Sequence, residues 1–176
     1  MVKGLKILIS IFILWAVMFI APVSFSGGVS DFDFSPADNV DAEALSVMSK
    51  AKAGDAESQY LVGRMFCCSK AVKYDPFKAV IWFGRAAGQN YADAQFMMGY
   101  MHSRGRGVNR DKRKALLWYT RAADQGHIGA VFRIGEMYFN GDGVEKDYAK
   151  AKLLLEKAAE HGNRGALRLL KEFDEK

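Results

Sequence analysis

Residues 99–126 read GYMHSRGRGVNRDKRKALLWYTRAADQG, and residues 135–162 read GEMYFNGDGVEKDYAKAKLLLEKAAEHG. Set 36 residues apart, they share Gly99 with Gly135, Met101 with Met137, Asp111 with Asp147 and Ala115 with Ala151. The pair Ala122-Ala123 falls on Ala158-Ala159. One step back, the same frame takes in Gly63, Met65, Asp75, Ala79 and Ala86-Ala87 without a gap. A fixed period of this size marks stacked units, because one unit alone cannot bury its apolar face. It also favours an extended binding surface over a catalytic pocket.

Each unit reads as two antiparallel helices. In the middle one, Tyr91 to Ser103 forms the first helix, Arg104 to Arg110 the loop and Asp111 to Gln125 the second helix. Asp111 and Asp147 stand at N-cap positions, just before a periodic apolar run. Asp75 does the same in the first unit, followed by Pro76, whose missing N–H costs nothing at the first helical position. Gly105 and Gly141 suit a left-handed C-terminal residue, Gly126 and Gly162 close the second helices, and Val108 and Val144 plug the loops onto the core. Ser58, Ala94, Ala130 and Ala166 recur as small residues where the helices approach. Trp82, Trp118, Phe83, Tyr119, Phe66 and Tyr138 are the expected bulk between them, each worth roughly 2–3 kcal/mol when buried.

The period runs past both ends. Asp41 to Ala53 aligns with a second helix and Asn163 to Phe173 with a first helix, both more polar, as terminal units must be. The expected fold is all-α, an α/α solenoid of three 36-residue helix pairs at 55–90, 91–126 and 127–162. Capping helices close it at 40–54 and 163–176.

Half of the residues are hydrophobic, 26% are charged and three are proline, a globular composition. The formal charge is +5. Lys3 and Lys6 precede an apolar run from Ile7 to Ala21, broken by Ser10 and followed by Pro22 and Gly27-Gly28. That order predicts a secretory signal peptide over 1–26, cut near Gly27, and a polar linker over 27–39. The alternative is an uncleaved anchor over Ile7 to Phe25, the only route to membrane contact in this reading. Either way the repeats face the exported side, the bacterial periplasm being the expected compartment, with inner-membrane anchoring or secretion as alternatives. Without the two leader lysines, 23 basic residues face 20 acidic ones, which is too mild for a polyanionic partner.

Ala130, Gly135, Tyr138, Gly141, Gly143, Val144, Asp147, Ala151, Ala158, Ala159 and Gly162 together resemble the Sel-one-like repeat (SLR), a relative of the tetratricopeptide repeat. The resemblance covers about residues 55–162. The departures are Ser69 and Ala71 for the loop glycines, His102 for an aromatic and Leu154 for a tryptophan. The resemblance implies a non-catalytic adaptor or scaffold in envelope complexes, secretion or host contact. It also implies an alternative, since exported members act as immunity proteins that neutralise a cognate toxin.

In such a repeat one stripe of each first helix lines the concave side. Here it reads Glu57, Tyr60, Arg64, Cys67; then Asp93, Phe96, Tyr100, Ser103; then Gly129, Phe132, Glu136, Phe139. An aromatic strip with Arg64 and Glu136 beside it suits a protein or peptide partner. The candidate contacts are Tyr60, Arg64, Phe96, Tyr100, Phe132, Glu136 and Phe139. Tyr60, Phe96 and Phe132 recur in every unit, so they also fit packing between neighbouring first helices.

Other signals carry less. Cys67 and Cys68 are adjacent, leaving a vicinal disulfide, an intermolecular bridge or free thiols. His102 could serve such a thiol as a base, but no acid orients it. Arg104, Arg106, Arg110, Lys112, Arg113 and Lys114 read as a solvated loop, with anionic glycan or lipid as the alternative, and no nucleic-acid reader accompanies them. His127 and His161 lack ligand spacing, so no metal site, cofactor or enzyme is expected.

Overall fold

The computed structural model describes residues 40–69 and 72–174. The expected leader and linker, and Ala71 in the first loop, lie outside the described residues. Eight helices follow one another: α1 Ala42–Lys52, α2 Ala56–Cys68, α3 Pro76–Gly88, α4 Ala92–Arg104, α5 Lys112–Asp124, α6 Ile128–Asn140, α7 Tyr148–Glu160 and α8 Arg164–Asp174. The described residues contain no strand, and their substantial packing contacts join helices adjacent in the chain. By its contacts the chain divides between Asp33 and Phe34, and α1 and α8 close the unit Phe34–Lys176 at its two ends.

The helix starts are chemical. The carboxylates of Asp75, Asp111 and Asp147 accept from the backbone N–H of Lys78, Lys114 and Lys150 at 2.9–3.0 Å. The first helices begin at another 36-residue series: Asp55 and Asn163 accept from Ser58 and Ala166, whereas Tyr91 offers no side-chain cap. Gly105 and Gly141 end α4 and α6 in the left-handed conformation, at φ of 69° and 76°. Such an end satisfies carbonyls that the helix leaves without partners.

Close approach within each pair depends on one glycine. A Cβ at Gly63 would stand 2.6 Å from the Phe83 ring, and one at Gly99 would stand 2.5 Å from the Tyr119 ring. At Gly135 the facing side chain is Leu155, at 3.0 Å. Phe83, Tyr119 and Leu155 are at most 2% exposed, so no open space receives a displaced side chain. Trp82 and Phe66 are buried as expected, but Trp118 and Tyr138 are only half-buried. Their outer faces are covered by Arg121 and Lys150, whose charged ends stand 4.7 Å and 4.3 Å from the ring centroids. The cations complete the wall there as charge-to-ring contacts.

Between repeats the joint is made of backbone and amide groups. A Cβ at Gly107 would fall 2.2 Å from the Pro76 carbonyl oxygen, and one at Gly143 would fall 2.6 Å from the Lys112 Cβ. Each loop thus lies directly against the start of the previous second helix. Deeper in, Gln59 and Gln95 are 6% and 2% exposed. Gln59 donates to the Ala51 carbonyl at 3.1 Å and accepts from Gln89 at 2.8 Å. Gln95 donates to Asn90 at 2.9 Å and accepts from Gln125 at 2.7 Å. The two buried amides thus find partners at the helix ends, the buried Ala51 carbonyl among them. The third repeat replaces the glutamine pair with Val131 and His161.

Two stability outcomes follow, each checked by thermal and urea denaturation. Gly99→Ala gains about 1 kcal/mol of helix propensity but pushes into the Tyr119 ring, for a net loss of about 2 kcal/mol. In a Tyr119→Leu background the same change costs less, because a leucine already faces Gly135. Gln95→Leu costs about 1–3 kcal/mol, since it strands the polar partners of a buried amide.

Candidate functional site

The first helices α2, α4 and α6 present one face that the helices following them cover only in part. Tyr60, Phe96 and Phe132 form its floor and are each half-buried. Tyr60 sits 5.4 Å from Tyr91 and 5.9 Å from Phe83 between ring centroids. Burial raises the pKa of its hydroxyl. Phe96 stacks on His127 at 4.4 Å and 16°, and lies 5.6 Å from Tyr119. Phe132 fills the space beside Gly165, where a Cβ would come within 2.7 Å of its ring. Each ring therefore leans on the first turn of the next first helix and leaves one flank open.

The three residues that vary at the following turn behave differently. Arg64 is exposed, with its guanidinium 5.9 Å from the Tyr60 ring. Tyr100 is half-buried under Arg106, at 5.4 Å. Glu136 accepts from Arg133 at 2.6 Å. Tyr100 and Glu136 line a polar cavity of about 240 Å³ with Ser103, Arg104, Lys112 and Tyr119. The Tyr119 hydroxyl reaches Ser103 at 3.5 Å, and burial raises its pKa. Lys112 bonds Asp142 across the repeat boundary at 2.6 Å.

Phe139 sits apart from this group. It is 8% exposed and packs against Tyr148 at 5.6 Å and Phe173 at 4.9 Å. The C-terminal cap covers it, because in the last repeat the cap takes the place a further unit would hold. The period alone shows which phase Phe139 has, not what lies on it.

His127 has a role that spacing did not reveal. Its Nδ1 accepts from the Ala130 N–H at 3.1 Å, capping α6, while its Nε2 stands 3.4 Å from Asp93. The signal was available, since residues 55, 91, 127 and 163 share one phase and three of them can accept a backbone N–H. His161 closes α7, with Nδ1 2.9 Å from the Lys157 carbonyl.

Cys67 and Cys68 are joined as a vicinal disulfide in the last turn of α2, the first of the three alternatives. A disulfide sulfur is no nucleophile, so His102 has no thiolate to serve. His102 Nδ1 is buried without a hydrogen-bond partner, and burial lowers the ring's pKa. Beside Cys68 a second cavity of about 420 Å³ opens between α1 and α2, lined by Val47, Leu61, Met65 and Val72.

Paired antiparallel helices at a constant period, with a glycine facing a buried ring or leucine in each pair, define a helical repeat protein of the α/α solenoid class. Residues 56–91, 92–127 and 128–163 each match the Sel1 repeat, and the chain belongs to that family. Sel1 repeats are generally protein-interaction modules and are typically non-catalytic. The chain is 34% identical to the Sel1 repeat protein from Oxalobacter formigenes, with a TM-score of 0.65 over 74% of this chain and 98% of that one. It is 33% identical to a protective antigen of uropathogenic Escherichia coli strains that displays an SLR fold, with a TM-score of 0.67 over 73% of this chain. It spans only 27% of that antigen. Cysteine rich protein B of Helicobacter pylori shares the fold at 18% identity, with a TM-score of 0.59 over 72% of this chain and 94% of that one. No curated protein matches the chain.

The lowered pKa of His102 gives a signed pH dependence. Its folded pKa lies below the unfolded value of about 6.5, so the unfolded chain takes up the proton first as pH falls. Stability from this group is complete above that pH and declines as pH drops through it. His102→Phe, matching Phe66 at the same phase, removes the term. Melting temperatures taken between about pH 7.5 and pH 5.5 should fall less for His102→Phe than for the unaltered protein.

Proposed function

We propose that this chain is an exported, non-catalytic interaction module that holds a partner protein or peptide on the face built by α2, α4 and α6. The observation that carries the reading is the contrast at one turn of that face. Arg64, Tyr100 and Glu136 share a repeat phase, yet they differ in charge and size and have no common packing duty. Where packing rules, as at Phe83, Tyr119 and Leu155, the residues differ but stay large and largely apolar; a guanidinium, a phenol and a carboxylate at one phase instead suit a partner with its own sequence. The half-buried rings of Tyr60, Phe96 and Phe132 supply an apolar floor, and the cavity beside Tyr100 supplies a polar pocket. Aromatic anchors with a polar rim are what protein recognition uses.

Export to the periplasm rests on the basic start and apolar run of residues 1–26. Among the described residues, no helix is long and apolar enough to cross a membrane.

Affinity capture from cell envelopes tests the reading, with tagged Phe34–Lys176 beside its Arg64→Glu/Tyr100→Ala variant. Arg64 is exposed and Tyr100 half-buried, so the variant should lose less melting temperature than a Phe139→Ala change, whose side chain is buried. The expected result is one partner captured by the native unit and bound at least about tenfold more weakly by the variant. Equal capture by both forms would move the binding site to the loops or caps.

A further inference from the structure

The second helices carry a pattern that neither the core nor the proposed partner face uses. Leu45, Ile81, Leu117 and Leu153 share one phase of the repeat, on α1, α3, α5 and α7. Leu45, Leu117 and Leu153 are 55%, 64% and 67% exposed, and Ile81 is half-buried. On α3 this position points away from the side holding Ala79, Phe83 and Ala86, all of them buried. Packing therefore gives no reason for a leucine or isoleucine there.

The residues one turn to either side are basic in every repeat. Three positions before stand Lys78, Lys114 and Lys150; four positions after stand Arg85, Arg121 and Lys157. The charged ends of most of these lie over rings of the wall: Lys78 over Phe66 at 5.2 Å, Arg85 over Trp82 at 4.6 Å, Arg121 over Trp118 at 4.7 Å and Lys150 over Tyr138 at 4.3 Å. Those contacts hold the charges in a row beside the aliphatic positions. A lone exposed leucine is ordinary, but a register of them flanked by cations is a surface.

We propose that this second-helix layer seats on an anionic lipid surface, with the aliphatic row entering the headgroup layer and the cations meeting its phosphates. Charge complementarity selects an anionic occupant. The form of the row favours lipid over a protein: the side chains protrude from separate helices, and neither cavity beside the first helices is lined by them. Protruding aliphatics need a surface that yields around each one, which a headgroup layer does.

Co-sedimentation of Phe34–Lys176 with vesicles tests this, since the unit is closed by its own caps and lacks the apolar leader. The probes are vesicles rich in phosphatidylglycerol and vesicles of phosphatidylcholine alone. Binding should be at least about tenfold tighter to the anionic vesicles and should weaken with salt. Leu117→Ser/Leu153→Ser should weaken it about tenfold while circular dichroism and melting stay unchanged, the two residues being exposed. Equal binding to both vesicle types, no binding, or an unaffected double variant would overturn the proposal. So would a variant that loses a co-purifying acidic protein when neither form binds vesicles, because the occupant would then be that protein.

Discussion

The contact on which the stack depends is a missing methyl group. Where α2, α4 and α6 cross their partners, Gly63 and Gly99 leave room for the flat of an aromatic ring, and Gly135 leaves room for Leu155. Because the ring occupies the space a side chain would need, the helices approach closely and Ala79, Ala115 and Ala151 reach complete burial. The pairing is reciprocal, since a smaller group opposite the glycine would leave a void and a larger group at the glycine would force the helices apart. The alanines and small residues around it then have no freedom to grow.

Joining one pair to the next uses another chemistry. Loop glycines bring Gly107 against Pro76 and Gly143 against Lys112, while Gln59 and Gln95 donate across the seams to Ala51 and Asn90. Directional bonds set the angle between units more narrowly than apolar contact could. That angle fixes where Tyr60, Phe96 and Phe132 lean and how much of each ring stays open. The candidate face is a by-product of the joint, and its floor is shared with it.

Much of this was readable from the chain because a period multiplies each signal. Asp75, Asp111 and Asp147 announced their caps, and Gly105 and Gly141 announced their turns. Local rules govern these places, so a string of residues suffices. The partner of a given side chain was harder to read. Phe139 has the phase of an open face and lies under α8, two helices further on, against Phe173. Trp118 has the phase of a core residue and stays half-buried beneath Arg121. Gln59 and Gln95, like Gln89 and Gln125, recur at the 36-residue period, but that each bonds a partner 30 residues on is a matter of helix-end geometry that spacing does not show. The state of Cys67 and Cys68 was open for a different reason, as adjacency permits all three outcomes.

The restriction of packing to helices adjacent in the chain has a mechanical meaning. A domain whose first and last strands pair resists a pull on its ends until everything gives way together. This array has no such clasp among its described residues: tension applied at the two ends meets one joint at a time. The third pair lacks the glutamine link, having Val131 and His161 instead, so that joint has one directional bond fewer than the others. Such a chain lengthens in steps of one helix pair and can shorten by the same steps.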